Sequence, residues 1–513
     1  MKTVKLTING KEVEAKAGTS VFEAAAQAGV FIPHYCYHPD LSVAGVCRMC
    51  VVEIEKTPRP QISCNTPVVE GMVVRTNTDK VKDQVKSTLE LHLINHPLDC
   101  PICDKAGECK LQDFYSDYGL YQSRMEFDEK VHKPKAQDIG TIMLDSERCI
   151  LCTRCVRFTH EVTKTDELGI FNRGDRSELR TYDHGPLKND YTGNLADICP
   201  VGALTAKDFR FQCRVWFLEK TESICGMCAR GCNTTVSVNP QTQNLYRVEP
   251  RRNPDVNKSW ICDTGRWDFH YVYAESRVKT PLKKVAGVWR EFTWHQAFAE
   301  LAEEFKQPEN LLVALSTQLT NEEIADCVQT FGVERMKQFT WVVDEKVVEN
   351  RTPVDGILKH ADLTGNALGF QKVFKTFGIS WMRQADAVKL LQAGKVTRLL
   401  LLGLEGMHLP GAELLIKAAG SNVRVTAHAS NRAPCLEEAE VLLPNTTSFE
   451  KSGHMVNALD FVQRLNAAIP PCYTSRNAHA VVFGIERGED REPVSPSRER
   501  ELTQKLGWEG KSP

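Results

Sequence analysis

Within the stretch His96-Pro-Leu-Asp-Cys100-Pro-Ile-Cys103-Asp-Lys-Ala-Gly-Glu-Cys109, one imidazole and three thiols fall inside a single short loop. Four such soft donors suit an iron–sulfur cube or a tetrahedral zinc. Two further cysteine groups flank the stretch, one ending at Cys64 and one starting at Cys149. Zinc explains any one group, but three in succession read as a chain of electron-transfer centres.

The 513 residues hold 19 cysteines, and all but Cys327, Cys435 and Cys472 lie before residue 263. In a reducing compartment clustered cysteines point to metal rather than disulfides, so metal chemistry is confined to the N-terminal half. The length allows about three or four domains. A net charge of −2 gives no reason to expect nucleic acid or an anionic membrane surface as partner. The longest apolar run, Leu399 to Leu404, falls far short of the roughly 18–20 residues that span a bilayer. Met1 leads directly into TVKLTINGKEVEA, which reads as folded structure rather than a leader. The expectation is a cytoplasmic chain whose membrane association comes only through partners.

Residues 3–8 alternate, Asn9-Gly10 signals a two-residue hairpin, and KEVEA resumes the strand. Ser20-Val-Phe-Glu23 forms a capping box for a short helix stopped by Gly29. Hairpin, helix and cysteine loop together suggest a β-grasp domain of the plant-type ferredoxin kind. Cys36, Cys47, Cys50 and Cys64 then hold a 2Fe-2S cluster, and the spacing lets the neighbours Cys47 and Cys50 share one iron. The first gap is longer than in plant ferredoxins, and zinc or plain buried cysteines is the alternative. An apolar stripe at Val81, Val85, Leu89 and Leu93 predicts a helix that delivers His96 at its end. Read alone, that histidine is a cap or surface residue. Followed by three spaced cysteines, it reads as a ligand with Cys100, Cys103 and Cys109. An imidazole in place of a thiolate removes one negative charge and should raise that cluster's potential.

Cys149-x2-Cys152-x2-Cys155 is the strongest local signal, three corners of a cube whose fourth is assigned to Cys199 in ADICPVGAL. Arg148, Arg154 and Arg157 around it either offset the cluster's charge or are ordinary surface arginines. A fourth group, Cys225-x2-Cys228-x3-Cys232 closed by Cys262, brackets NTTVSVNPQTQNLYRVEP, which reads as short strands around a turn. It pins a small β domain through another 4Fe-4S cluster, with zinc as the rival. Cys213, Cys327, Cys435 and Cys472 are left over as ordinary buried or half-buried thiols. Beyond Tyr273 the texture changes. Helices at Trp294–Phe305, from Asn321 and in AELLIKAAG alternate with strands at LLVAL, TRLLLLGLEG and NVRVTAHAS, implying an α/β domain with a parallel sheet. No Gly-x-Gly-x-x-Gly follows a strand there, and no Walker sequence is present. From about Glu486 the composition turns to Glu, Arg and Pro, as in a mobile arm.

Taken together, GVCRMCVVEIE, NHPLDCPICDKAGECKLQDF, RCILCTRCVRF and DICPVGAL resemble the cluster-binding segments of the 75 kDa subunit family of NADH:quinone oxidoreductase, respiratory complex I, in its bacterial form. SICGMCARGCN with WICDTGRW resembles the extra cluster found in bacterial members. RVKTPLKKVAGVWREFTWHQAF and LLPNTTSFEKSGHMVNALDFVQR resemble parts of a molybdopterin-oxidoreductase domain. The resemblance implies an α+β and α/β multidomain chain. Its domains are a β-grasp 2Fe-2S ferredoxin domain over 1–78, a His/Cys3 4Fe-4S domain over 79–120 and a ferredoxin-like 4Fe-4S domain over 121–217. A molybdopterin-oxidoreductase-type 4Fe-4S domain over 218–274, a degenerate α/β molybdopterin-oxidoreductase-like domain over 275–485 and a charged tail over 486–513 complete it.

It also implies one 2Fe-2S and three 4Fe-4S clusters, and no molybdopterin, flavin or NAD in this chain. Electrons enter at Cys36/Cys47/Cys50/Cys64, pass to Cys149/Cys152/Cys155/Cys199, then to His96/Cys100/Cys103/Cys109, and leave. The Cys225 cluster stands off this line. The implied partners are the flavin- and NADH-binding subunit and a two-cluster ferredoxin subunit of a peripheral arm on the inner face of the cell membrane. No substrate-converting site is expected in the chain itself. Three relatives share the N-terminal module, of which iron-only hydrogenases need several additional cysteine motifs where only three isolated cysteines follow Cys262. The alpha chain of an NAD-linked formate dehydrogenase needs a metal-ligating cysteine or selenocysteine near FTWVVDEKVVENRT, which is absent, and a lysine where this chain has Thr264. The iron–sulfur subunit of an NAD-reducing hydrogenase has no use for residues 270–513.

Overall fold

The computed structural model describes residues 2–490 except 121, 127, 128, 305, 307–309, 332–337 and 344, together with residue 504. The chain divides into two compact units, Met1–Phe217 and Leu218–Pro513.

The first unit opens on the hairpin Thr3–Ile8/Lys11–Lys16, with Ile8 opposite Lys11. Asn9 (φ 50°) and Gly10 (φ 84°) supply the two left-handed residues that a tight hairpin turn needs. Met72–Arg75 joins Thr3–Ile8 in parallel, and Val51–Ile54 and Gln61–Ile62 complete a five-stranded sheet. The helix Val21–Gln27, closed by a reciprocal Ser20–Glu23 capping box, packs its buried face on that sheet. Cys50 and Cys64 belong to the same apolar core. A β-grasp therefore places cluster-type cysteines at the edge of its own hydrophobic interior.

The helix Asp79–Leu93, capped by Thr78, buries Val81, Val85 and Leu89. Leu93 is only half-buried, and it lines the cavity beside His96. A second helix, Lys110–Tyr118, starts immediately after Cys109. The rest of the unit is a three-stranded sheet of Leu204–Ala206, Ile142–Leu144 and Gln137–Asp138, with the helices Arg154–Glu161 and Asn194–Ile198. A hairpin of Leu168–Phe171 and Glu178–Thr181 also lies here, for which the sequence offered no reading.

The second unit begins with three antiparallel strands, Glu219–Ile224, Asn233–Asn239 and Asn244–Pro250. Its main sheet has seven strands in the order Val288–Glu291, Leu282–Val285, Val441–Pro444, Arg424–Ala429, Arg398–Leu404, Leu311–Ser316 and Phe339–Val342. The last five run parallel. These five form the expected parallel sheet, which an antiparallel hairpin extends at one edge. Ala286 (φ 50°) and Gly287 (φ 80°) fold the first two strands into a hairpin that docks antiparallel on Val441–Pro444. Leu311, Val313 and Leu315 enter one apolar core and Leu312 and Ala314 the other. Burial on both faces explains why this strand reads as a continuous apolar run. The helix expected to Phe305 is described as Trp294–Glu304, and Phe305 lies outside the described residues. The final helix Ala478–Arg487 is capped by Gly488 (φ 68°), so regular structure continues slightly past residue 485. The charged tail lies almost wholly outside the described residues. Among the described residues no helix is long and apolar enough to cross a membrane.

Candidate iron–sulfur sites

Four groups of donors are built by loops leaving these elements. In the first, Cys36, Cys47, Cys50 and Cys64 are all at most 4% exposed. Arg48, at φ 57°, turns the chain sharply between Cys47 and Cys50. The thiols hydrogen-bond as Cys36 with Cys47 and Cys50 with Cys64. The cause is the strand Val51–Ile54. Val51 pairs with Ile62, and Ser63 donates to the Cys50 carbonyl from both N and Oγ at 2.8 Å, so Cys50 is carried to Cys64. The donated Cys47 thiol draws Cys36 down to about 5, and that of Cys64 draws Cys50 down to about 7. Their partners Cys47 and Cys64 are raised by the same hydrogen bonds, so each pair of sulfurs shares one proton.

In the second, His96, Cys100, Cys103 and Cys109 line a cavity of ≈ 900 Å³. Burial, with Lys130 and Arg148 nearby, lowers His96 to about 4, so its imidazole is neutral at pH 7 and has a lone pair to give. Burial pushes the Cys109 thiol up to about 11. The loop is held from outside. Lys130 Nζ donates to the His96 carbonyl at 2.7 Å, and Arg214 donates to the carbonyls of Cys103 (2.6 Å) and Pro101 (2.5 Å). Gly202, from the segment after Cys199, also lines this cavity, and a Cβ there would lie 2.3 Å from Cys103 Sγ. Gly202→Ala is therefore expected to cost about 1–3 kcal/mol in displaced packing and to empty this site alone. Iron content and the EPR signal of this one site, with the other signals as internal controls, are the measurements.

In the third, Cys149, Cys152, Cys155 and Cys199 line one small apolar cavity with Ile150 and Leu204. Leu151 (φ 54°) and Thr153 (φ 62°) adopt left-handed backbone, which wraps the three-cysteine run before the helix Arg154–Glu161 begins. Burial raises Cys149 to about 12 and Cys152 to about 11. The three arginines are not a surface set. Arg148 is 5% exposed and donates to Asp99 at 3.2 Å, while Arg154 and Arg157 are half-buried against main-chain carbonyls.

The fourth, in the second unit, brings together Cys225, Cys228, Cys232 and Cys262. Cys225 N donates to the Cys232 carbonyl at 2.8 Å, and Gly231 (φ 60°) closes the turn. Cys262 Sγ caps the helix Asp263–Trp267 by accepting from Gly265 N at 3.4 Å. A distant loop covers the site. The Asp362 carbonyl accepts from Ala229 N at 2.9 Å, and His360 places its backbone N–H on Cys228 Sγ. The His360 ring is 3% exposed, and neither of its nitrogens has a protein partner. Burial raises all four thiols.

Among the described residues no three His, Cys, Asp or Glu side chains are placed to hold a single ion. The His96 and Cys149 groups each stand around a cavity, a donor arrangement that suits a tetranuclear cluster in which each ligand takes its own iron. The orphaned His360 ring and the Cβ-free approach of Gly202 to Cys103 fit such a group as well. Neither residue carries a local signal in the sequence beyond the closeness of Gly202 to Cys199. Of the cysteines left over, Cys327 is buried, and Cys213, Cys435 and Cys472 are half-buried.

Four family models match the chain. They are a 2Fe-2S iron–sulfur cluster binding domain (residues 1–79), the NADH-ubiquinone oxidoreductase-G iron–sulfur binding region (86–124), the NADH-quinone oxidoreductase subunit 3 ferredoxin-like domain (140–205) and the NADH-ubiquinone oxidoreductase NDSU1/NuoG-like 4Fe-4S domain (218–270). The NADH-ubiquinone oxidoreductase 75 kDa subunit of Reclinomonas americana is 41% identical over 60% of this chain and 44% of its own length. The mitochondrial NADH-ubiquinone oxidoreductase 78 kDa subunit of Neurospora crassa is 42% identical over 65% of this chain and 45% of its own. The chain thus spans about half the length of these relatives. Among solved structures, a chain of an NAD+-reducing [NiFe]-hydrogenase aligns at 32% identity over 41% of this chain and 91% of that one, with a TM-score of 0.38.

Proposed function

We propose that residues 1–270 belong to the 75 kDa subunit family of NADH-quinone oxidoreductase and that the chain is an electron-transfer subunit of a respiratory NADH:quinone oxidoreductase. Its ligands are Cys36, Cys47, Cys50 and Cys64 for a 2Fe-2S cluster. His96, Cys100, Cys103 and Cys109, then Cys149, Cys152, Cys155 and Cys199, then Cys225, Cys228, Cys232 and Cys262 hold three 4Fe-4S clusters. When bound, these groups supply one-electron chemistry. The polypeptide contributes the rest: thiolates and one neutral imidazole as ligands, buried walls that exclude water, and cationic side chains against the ligand loops.

The observation that carries this reading is the continuity of donors within the first unit. Arg157 touches both Cys36 and Cys152, and the segment after Cys199 runs on to the His96 site. There Pro200 accepts from Lys110 N at 2.9 Å and Gly202 faces Cys103. The order first, third, second site follows. The fourth site lies in the other unit and is assigned a structural role.

Residues 275–485 are read as a degenerate molybdopterin-oxidoreductase-like scaffold that binds no pterin. In doubly wound sheets ligands sit at the carboxyl ends of the strands. Here those ends are tied to one another. Glu405 N donates to Gln318 Oε1 at 3.0 Å, Ser448 N to Glu405 Oε1 at 2.7 Å, and Asn445 Nδ2 to the Leu404 carbonyl at 3.1 Å. The proposed partners are a flavin- and NADH-binding subunit upstream and a two-cluster ferredoxin subunit downstream, in an arm on the inner face of the membrane.

Metal analysis with EPR of the reduced chain tests the reading. The expected result is about fourteen irons per chain, one binuclear and three tetranuclear signals, and no molybdenum. Zinc in these sites, or formate oxidation by the chain alone, overturns it.

A further inference from the structure

The helix Arg154–Glu161 follows directly on the third site and carries two guanidiniums three residues apart. Arg157 Nη2 donates to the Cys36 carbonyl at 2.5 Å and to the Cys152 carbonyl at 3.5 Å, while its Nη1 donates to the Ser42 carbonyl. Arg154 donates to the Tyr37 carbonyl at 2.5 Å and to the Ile198 carbonyl at 3.0 Å. Tyr37 follows Cys36, and Ile198 precedes Cys199. Each guanidinium therefore spans one ligand-bearing segment of the first site and one of the third. At the far end of the helix Glu161 adds a tie, accepting from Ser42 N at 2.8 Å.

This is a costly arrangement for structure alone. Like charges three apart on a helix repel. The acceptors named for the pair are neutral main-chain carbonyls, and the Nε of both arginines is buried without a partner. The ligand-bearing loops of Cys36, Cys152 and Cys199 are what the two guanidiniums bridge. A guanidinium keeps its charge at any working pH, and its planar fork holds two acceptors in fixed register. A cation fixed between two redox centres stabilises the reduced, more negative form of each.

We propose that Arg154 and Arg157 are positioning residues for electron transfer between the first and third sites: they clamp the two ligand loops together and hold both reduction potentials up with a shared positive charge. This rests on reading both sites as iron–sulfur centres. One electron leaves the first site and arrives at the third; no bond forms or breaks, and no proton moves.

The test is Arg157→Gln and Arg157→Lys in the full chain with its clusters in place, read by iron content and EPR redox titration. The expected result for Arg157→Gln is unchanged iron, a shift of the first- and third-site midpoints to more negative values, and unmoved second- and fourth-site midpoints. Arg157→Lys keeps the charge and is expected to keep midpoints near those of the parent chain. Unmoved first- and third-site midpoints in Arg157→Gln overturn the proposal, as does an equal shift of all four. Should Arg157→Gln lose iron, Arg154→Gln is read in the same way. Iron loss in both variants also overturns it, because the arginines then serve assembly rather than transfer. A parent chain lacking the first- and third-site signals defeats the functional reading instead, so the two failures are distinct.

Discussion

Arg277→Met is expected to destabilise the second unit by about 3–5 kcal/mol, the range for breaking one half of a buried ion pair. The Arg277 and Glu450 side chains are both fully buried, at 0% exposure, with Nη2 to Oε2 at 2.7 Å. The same Nη2 also reaches the Asn445 carbonyl at 3.1 Å and Ser475 Oγ at 3.0 Å. Glu450 accepts from Thr447 N at 2.6 Å and Cys472 N at 2.5 Å, so its carboxylate orders the segments on either side of the hairpin Gly453–Val456/Val462–Leu465. Without the guanidinium that carboxylate remains buried with two backbone donors and the Cys472 thiol, and no cation. Adding Glu450→Leu should recover part of the loss, because no unpaired charge then stays inside. Urea unfolding followed by circular dichroism, run as a double-mutant cycle, measures both effects. A loss under about 1 kcal/mol in the single variant, the level of an exposed pair, would show that the pair is solvated in solution.

Cys152→Ala is expected to have the largest functional effect. Cys152 sits in the middle of the proposed order, and its carbonyl is among those that Arg157 joins. Losing one corner of the third site should leave about ten of about fourteen irons and erase one tetranuclear signal. In the assembled enzyme, electrons should still reach the first site and go no further. Quinone reduction then falls to background while the binuclear signal still appears on reduction. Persistent quinone reduction with the third-site signal gone would break the proposed order. The same substitution in the fourth group, at Cys225, should leave throughput intact.

Much of the local architecture was legible before any coordinates. Asn9-Gly10 dictates its hairpin, Ser20 and Glu23 their capping box, and Val81, Val85 and Leu89 their helix face. These features depend on a few adjacent residues, and so does the presence of donors spaced to hold metal. The seven-stranded sheet was read in part. Strong apolar runs marked the parallel strands, but Leu282–Val285 and Val288–Glu291 have no fully buried residue and left no comparable pattern.

What the sequence alone determined is the chemistry on offer: which thiols and which imidazole stand close enough along the chain to act together. Only tertiary structure decided who faces whom. Cys50 meets Cys64 because a strand register carries it there. Gly202 faces Cys103, His360 covers Cys228, and Arg157 bonds Cys36 across 121 positions of chain. The physical reason is that spacing along a chain is set by covalent geometry over a few residues, whereas these approaches are set by which hydrophobic faces bury against each other.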